Sequence, residues 1–160
     1  MLIYVLRHGI AETAQAGMRD ADRALTEEGF KKLKSILRAV RAAEASPSVI
    51  LTSPYRRAVQ TAELAAQVLE FEGEVVQVKS LAPASEAEDV WEDIRLHRQE
   101  DQVLLSGHEP LLGQVIGFLL GVPSLQVDLK KAGIACVQVD AFGPRPRGVL
   151  KWLLAPKLVG

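Results

Sequence analysis

One cysteine in 160 residues, Cys136, leaves the chain without an internal disulfide, and its three histidines, His8, His97 and His108, include no pair spaced for joint metal ligation on a helix. The first absence excludes a disulfide-stapled scaffold and agrees with a reducing, cytoplasmic setting. The second argues against a metal hydrolase, and no metal or cofactor is expected. An excess of charge of one sign is missing as well. Nineteen Lys and Arg stand against twenty Asp and Glu, eleven against ten through residue 80 and eight against ten beyond it. Neither half makes a basic arm or an acidic tail, so neither nucleic acid nor an anionic membrane is an expected partner. Long apolar runs are absent too. The longest uncharged stretch, Pro110 to Val127, is broken by prolines, glycines, glutamines and a serine, which rules out a membrane span. The amino-terminal MLIYVLRHG has no basic region ahead of its short apolar run, so no export signal is expected.

What is present is ordinary globular material. Hydrophobic residues make up 48% and charged residues 24%, which excludes a disordered or fibrous chain. A chain of this length buries about 70% of its unfolded surface around one core, so residues 1–160 are expected to form a single domain.

Apolar patterning sets the order of the elements. Leu2 to Leu6 is a continuous β-forming run, the mark of a strand buried on both faces. Thr26 opens a helical stretch in which Phe30, Leu33, Leu37 and Val40 share one face and Lys31, Lys32, Lys34, Arg38 and Arg41 the other. Val49 to Thr52 predicts a second strand. Pro54 then begins a small-residue helix through Ala58, Ala62, Ala65 and Leu69, and Val75 to Val78 predicts a third strand. Ser85 and Glu88 match a capping box for a helix carrying Val90, Ile94 and, on the same helix, His97. A fourth strand follows at Val103 to Leu105. Pro110 begins a helix with Gly113, Gly117 and Gly121 in a ladder, expected to let its backbone approach a sheet closely, and Ile134 to Val139 and Val149 to Leu154 close the chain as a hairpin. Alternation of strands and helices implies an α/β fold with three α/β/α layers, a mostly parallel central sheet and an antiparallel carboxy-terminal hairpin.

Ligands of open α/β sheets bind at the carboxyl ends of the strands. Here those ends carry Arg7-His8-Gly9, Ser53-Pro54-Tyr55-Arg56-Arg57 and Ser106-Gly107-His108-Glu109. Guanidinium forks match tetrahedral oxyanions, and helix starts near Pro54 and Pro110 add N–H donors, so a phosphoryl group is the guest this edge suits. A neutral imidazole can attack phosphorus once a hydrogen bond at its other nitrogen holds its tautomer, and His8, between Arg7 and a flexible Gly9, is the candidate. Each residue alone has an ordinary explanation in a turn or on a surface; the three strand ends together do not. His97 is accounted for by packing or a surface edge. A single glycine after the first strand falls short of the G-x-G-x-x-G needed for a dinucleotide site.

Leu6-Arg7-His8-Gly9, the stretch Ser53-Pro54-Tyr55-Arg56-Arg57-Ala58-Val59-Gln60-Thr61-Ala62, and Gly107-His108 resemble the motifs of the histidine phosphatase superfamily, which has the phosphoglycerate mutase-like fold. RHGIAE near the start, Arg23-Ala24-Leu25-Thr26-Glu27-Glu28-Gly29 and SGHEPLLG extend the resemblance to its small phosphohistidine phosphatases of the SixA type, over residues 2 to about 121. The resemblance implies that His8 is the phosphorylated nucleophile, that Arg7 and Arg57 hold the phosphoryl oxygens, and that His108 completes the pocket, with Gly9, Ser53 and Gly107 as flanking substrate-binding positions. Arg57 rather than Arg56 takes the motif position, which leaves Arg56 at the entrance or on the surface and Tyr55 without a role.

The implied reaction passes the phosphoryl group to His8 and then to water. A phosphomonoester leaves as an alkoxide and needs a general acid, whereas phosphohistidine leaves as an imidazole. Glu12 and Glu109 are the candidate proton donors; Glu86 and Glu88 have explanations at a helix start. The short connections between strands favour a phosphohistidine presented by a phosphotransfer or carrier protein. A small-molecule phosphomonoester phosphatase is the alternative, and a noncatalytic phosphoryl-binding module is the alternative from another class.

Overall fold

The computed structural model describes all residues, 1–160. Strands β1 (Leu2–Arg7), β2 (Val49–Thr52), β3 (Val75–Gln77), β4 (Gln102–Gly107), β5 (Ile134–Gln138) and β6 (Val149–Leu154) form one sheet in the order β3-β2-β4-β1-β5-β6. The pairs β2/β3, β2/β4 and β1/β4 are parallel, and β5 runs antiparallel to both β1 and β6. Helices α1 (Glu27–Ala42), α2 (Arg56–Val68), α3 (Ala87–Arg95) and α4 (Leu111–Leu119) cover the sheet. This is the mostly parallel α/β sheet with an antiparallel carboxy-terminal hairpin that the alternation of strands and helices predicts.

Side chains alternate across a strand, and that alternation divides the core. Ile3 and Val5 of β1 face α3 and α4 with Val103, Leu105, Trp91, Ile94, Leu112 and Ile116. Tyr4 and Leu6 face α1 and α2 with Leu104, Leu33, Leu37, Ala62 and Ala65. Cys136 lies buried in this second layer. Every large aliphatic side chain so buried contributes about 1.5–3 kcal/mol relative to exposure. No helix is long and apolar enough to cross a membrane.

Several local expectations are corrected. Thr26 does cap α1, its Oγ1 accepting the Gly29 N–H at 3.0 Å. The proposed capping box does not form, because Glu86 takes the N-cap position of α3 and Ser85 Oγ instead donates to the Lys79 carbonyl. Helix α3 ends at Arg95, which leaves His97 in the turn beyond it, and α2 begins two residues after Pro54 with Tyr55 at its N-cap. Strand β3 ends one residue early, at Gln77.

The glycine ladder faces away from the sheet. A Cβ on Gly117 would stand 2.8 Å from the Val122 carbonyl, and one on Gly113 3.0 Å from a Glu109 carboxylate oxygen, so these glycines admit the segment that folds back over α4. Gly121 lies outside the helix at φ +76°. Its N–H bonds to the Phe118 carbonyl and that of Val122 to Gly117, the paired closure that ends a helix through a left-handed residue.

Candidate active site

Register in the sheet assembles the site. Arg7 at the end of β1 pairs with Gly107 at the end of β4, and Thr52 at the end of β2 pairs with Ser106. The residues that follow are therefore neighbours: the His8 amide bonds to the Gly107 carbonyl at 3.0 Å and the Ser53 amide to that of Ser106 at 2.9 Å. His8 and His108 consequently stand side by side with ring centroids 5.1 Å apart, although 100 residues separate them. The first turn of α2 adds Arg57.

His8 is buried, and its Nδ1 lies 2.7 Å from the Gly9 carbonyl oxygen. A carbonyl can only accept, so Nδ1 carries the hydrogen and Nε2 keeps its lone pair. The Arg57 Nε–H points at that lone pair from 3.4 Å. Burial above all pushes the His8 pKa down to about 4, helped by the charges of Arg57, Arg7 and Lys131 and opposed by the Gly9 hydrogen bond. At neutral pH the ring is an uncharged imidazole of defined tautomer that can act as a nucleophile through Nε2.

His108 Nε2 sits 2.7 Å from Ser53 Oγ, which itself accepts the Tyr55 N–H at 3.2 Å. The Ser53 hydroxyl hydrogen has no other acceptor, so it goes to Nε2 and the His108 hydrogen resides on Nδ1. Burial, then the neighbouring His8 and Arg57, pushes this pKa down to about 3. His108 thus offers a neutral N–H donor. Its Nδ1 and the Nε of Arg7 are the two buried side-chain polar atoms with no protein partner, and both belong to this cluster.

Arg57 is clamped from behind by Asp20, which accepts Nη1 at its backbone oxygen (2.8 Å) and Nη2 at Oδ2 (3.0 Å). Tyr55 lies under the same guanidinium, 5.2 Å from ring centroid to Cζ, and meets the His108 ring edge-on. Arg7 is anchored by Nη1 on the Leu129 carbonyl at 2.9 Å. Thr61, one turn after Arg57, accepts the Gly9 N–H at 3.2 Å and donates to the Arg57 carbonyl at 2.7 Å. Asp20, Leu129 and Thr61 escape a reading based on strand ends. Only Thr61 left a signal, as part of the stretch that holds Arg57.

The other predicted residues divide. Arg56 is exposed and stands outside the cluster, on a surface shared with Arg19 and Asp22. Ser53 is fully buried behind His108 and offers no exposed atom to a ligand. Gly9 does not supply flexibility: a Cβ there would lie 2.7 Å from Leu33 Cδ1 and 3.2 Å from the Gly29 carbonyl, so its role is to let α1 approach. Gly107 is likewise buried, with a Cβ 3.3 Å from Leu112. Glu12 is tied to the Ala24 backbone through both its amide and its Oε1, and shares no hydrogen bond with the histidines. Glu109 is half-buried beside Arg7, with Oε1 accepting the Gly113 N–H at 2.5 Å. Burial raises its pKa, against the pull of the Gly113 bond and the Arg7 charge. No group of three His, Cys, Asp or Glu side chains is placed to hold a metal ion.

The sequence model of the histidine phosphatase superfamily (branch 1) matches residues 3–85, the stretch that carries Arg7, His8 and Arg57. The chain belongs to that superfamily. An uncharacterized protein of Picosynechococcus sp. is 36% identical over 138 residues, 84% of this chain and 82% of its own length. Among solved structures, the protein histidine phosphatase SixA complexed with tungstate superposes with a TM-score of 0.88 over 99% of both chains at 24% identity. A chain of Agrobacterium tumefaciens assigned as phosphohistidine phosphatase SixA does so with a TM-score of 0.81 over 97% of both at 26% identity. The alpha-ribazole phosphatase of Shigella flexneri shares the fold more distantly, with a TM-score of 0.71 over 98% of this chain and 97% of its own at 17% identity. This member of the histidine phosphatase superfamily is a phosphatase of SixA-like architecture.

Proposed function

We propose that the chain is a cytoplasmic phosphohistidine phosphatase, acting on a phosphotransfer or carrier protein through a phospho-His8 intermediate. The observation that carries this reading is the His8 tautomer: Nδ1–H on the Gly9 carbonyl leaves Nε2 unprotonated among the donors of Arg7, Arg57 and His108. In the first step the Nε2 lone pair forms a bond to phosphorus while the P–N bond of the substrate breaks, and the electron pair leaves on the substrate imidazole. Because His8 keeps its Nδ1 hydrogen, the phosphorylated ring is cationic and is itself a ready leaving group. Water then forms the new P–O bond, Nε2 recovers its electron pair, and the water proton passes to the phosphate and solvent. Arg7 and Arg57 stabilise the equatorial oxygens throughout, and His108 Nδ1–H supplies a further donor.

The SixA likeness supports a phosphohistidine substrate, as does the leaving group, since an imidazole needs far less protonation than an alkoxide. One observation favours hydrolysis of small phosphomonoesters as a second reading. Glu109, with its raised pKa beside Arg7, is the carboxyl best suited to act as a general acid.

Both readings are tested with wild-type protein, His8→Ala and Glu109→Gln, each offered a phosphohistidine-loaded carrier protein and, separately, an aryl phosphate. The expected result is His8-dependent release of phosphate from the carrier, an acid-labile phosphoryl group on the wild-type chain, and little loss in Glu109→Gln. Turnover of the aryl phosphate alone, collapsing in Glu109→Gln, establishes the second reading instead. Phosphate binding with neither turnover nor a phosphorylated chain would leave a binding module.

A further inference from the structure

A cleft of about 530 Å³ opens at Arg7, and its charged lining is entirely basic: Arg7 from the end of β1, Lys32 from α1, Lys130 and Lys131 from the segment before β5, and Lys157 from the turn after β6. No carboxylate lines it. In a chain of net charge −1, five cations drawn from four separate stretches of sequence are a local concentration that only the fold creates. Lys32 pairs with Glu28 at 3.2 Å and Lys130 with Asp128 at 3.0 Å, both between exposed side chains and therefore weak. Arg7, Lys131 and Lys157 form no ion pair at all.

The cleft meets the phosphoryl site at Arg7. Arg7 lines both, and the charge of Lys131 is felt by the His8 ring. A phosphoryl group seated between Arg7 and Arg57 would therefore bring whatever flanks it over the lysines. The hollow beside Arg56 differs, mixing Arg19 with Asp22 and Glu63. The two hollows thus differ in charge, and Glu109 and Asp128, whose charges reach Arg7, stand outside the lining of the basic one.

Resting on the reading of the substrate as phosphohistidine on a protein, we propose that this cleft receives acidic side chains flanking the phosphohistidine, so that the partner is a domain with Asp or Glu beside its phosphorylated residue. The lysines steer and orient that domain and take no part in the chemistry.

Lys32→Glu/Lys157→Glu tests this, because both side chains line the cleft, both are exposed and neither is among the charges that act on His8. With the phosphohistidine carrier, kcat/KM is expected to fall roughly 10-fold or more at low salt, and the loss to shrink as ionic strength rises. Turnover of phosphoramidate, too small to reach the lysines, should stay within about twofold of wild type on the same electrostatic argument. Equal losses on both substrates, or no loss on the carrier, overturn the proposal. A second arm does not depend on the carrier: an oligoglutamate peptide should inhibit aryl phosphate turnover competitively, and less so in the variant. If the carrier is not a substrate but the peptide still inhibits in this way, the substrate reading falls while the acidic-segment cleft stands. Inhibition by pyrophosphate without inhibition by the peptide assigns the cleft to a compact bis-anion and overturns the protein partner.

Discussion

His8 owes its chemistry to one neighbouring atom and to its burial. The Gly9 carbonyl fixes which nitrogen is free, and burial keeps the ring uncharged. The sign follows directly: desolvation disfavours the imidazolium, so the pKa moves below the ordinary value near 6.5 and not above it. An NMR titration should therefore show the His8 and His108 rings flat between about pH 8 and 6, with His8 beginning to protonate only as the pH nears about 4 and His108 lower still. Either ring titrating near its ordinary value would contradict the desolvation that keeps it uncharged. This much was partly visible in the one-dimensional chain, because a His-Gly step after an apolar run is a local pattern. The partners that tune it were not. Asp20 acts on Arg57 from 37 residues away, and Ser53 acts on His108 from 55.

Among the elements, α2 has the most exacting task, since its first turn holds Arg57 and its second ties that arginine to the chain leaving β1. Thr61 Oγ1 makes the tie, accepting from Gly9 and donating to Arg57, in a fully buried position. Thr61→Val keeps the shape but leaves the Gly9 amide without an acceptor, at a cost of about 1–3 kcal/mol. Thermal unfolding should register this as a fall in Tm of about 2–4 °C per kcal/mol. Because His8 and Arg57 share the tie, kcat should fall as well, and Thr61→Ser, which keeps the hydroxyl, should restore most of it. A kcat unchanged in Thr61→Val would reduce the residue to a stability role. Element boundaries were less legible than element types. Ser85 and Glu88 have capping-box spacing, yet Ser85 finds the Lys79 carbonyl first, and the glycines of α4 serve the returning segment rather than the sheet. In both cases a contact from another part of the chain outweighed a sequence-local rule.

For the whole molecule, the two buried neutral histidines make stability depend on pH. In the unfolded chain both rings protonate near 6.5; in the folded chain His8 waits until about 4 and His108 until about 3. Between those limits the unfolded state binds more protons, so stability is highest above about pH 6.5 and is lost as pH falls through the window. Urea unfolding at neutral pH and at moderately acid pH should differ by a few kcal/mol, the acid condition being the weaker. Replacing both histidines by asparagine should flatten most of that difference, and a profile equally steep in the double variant would place its origin among the carboxylates.

Composition and periodicity determined the fold class, because apolar runs of strand length and helical spacing report burial locally, with no knowledge of neighbours. They also put histidine and arginine at the ends of strands, where such folds bind their ligands. The three-dimensional arrangement decided the rest. Pairing Arg7 with Gly107 brought two distant histidines into contact, the Asp20 turn captured Arg57, and three unrelated stretches pooled their lysines beside Arg7. None of these leaves a local trace, since each depends on register and packing between segments that are remote in the chain.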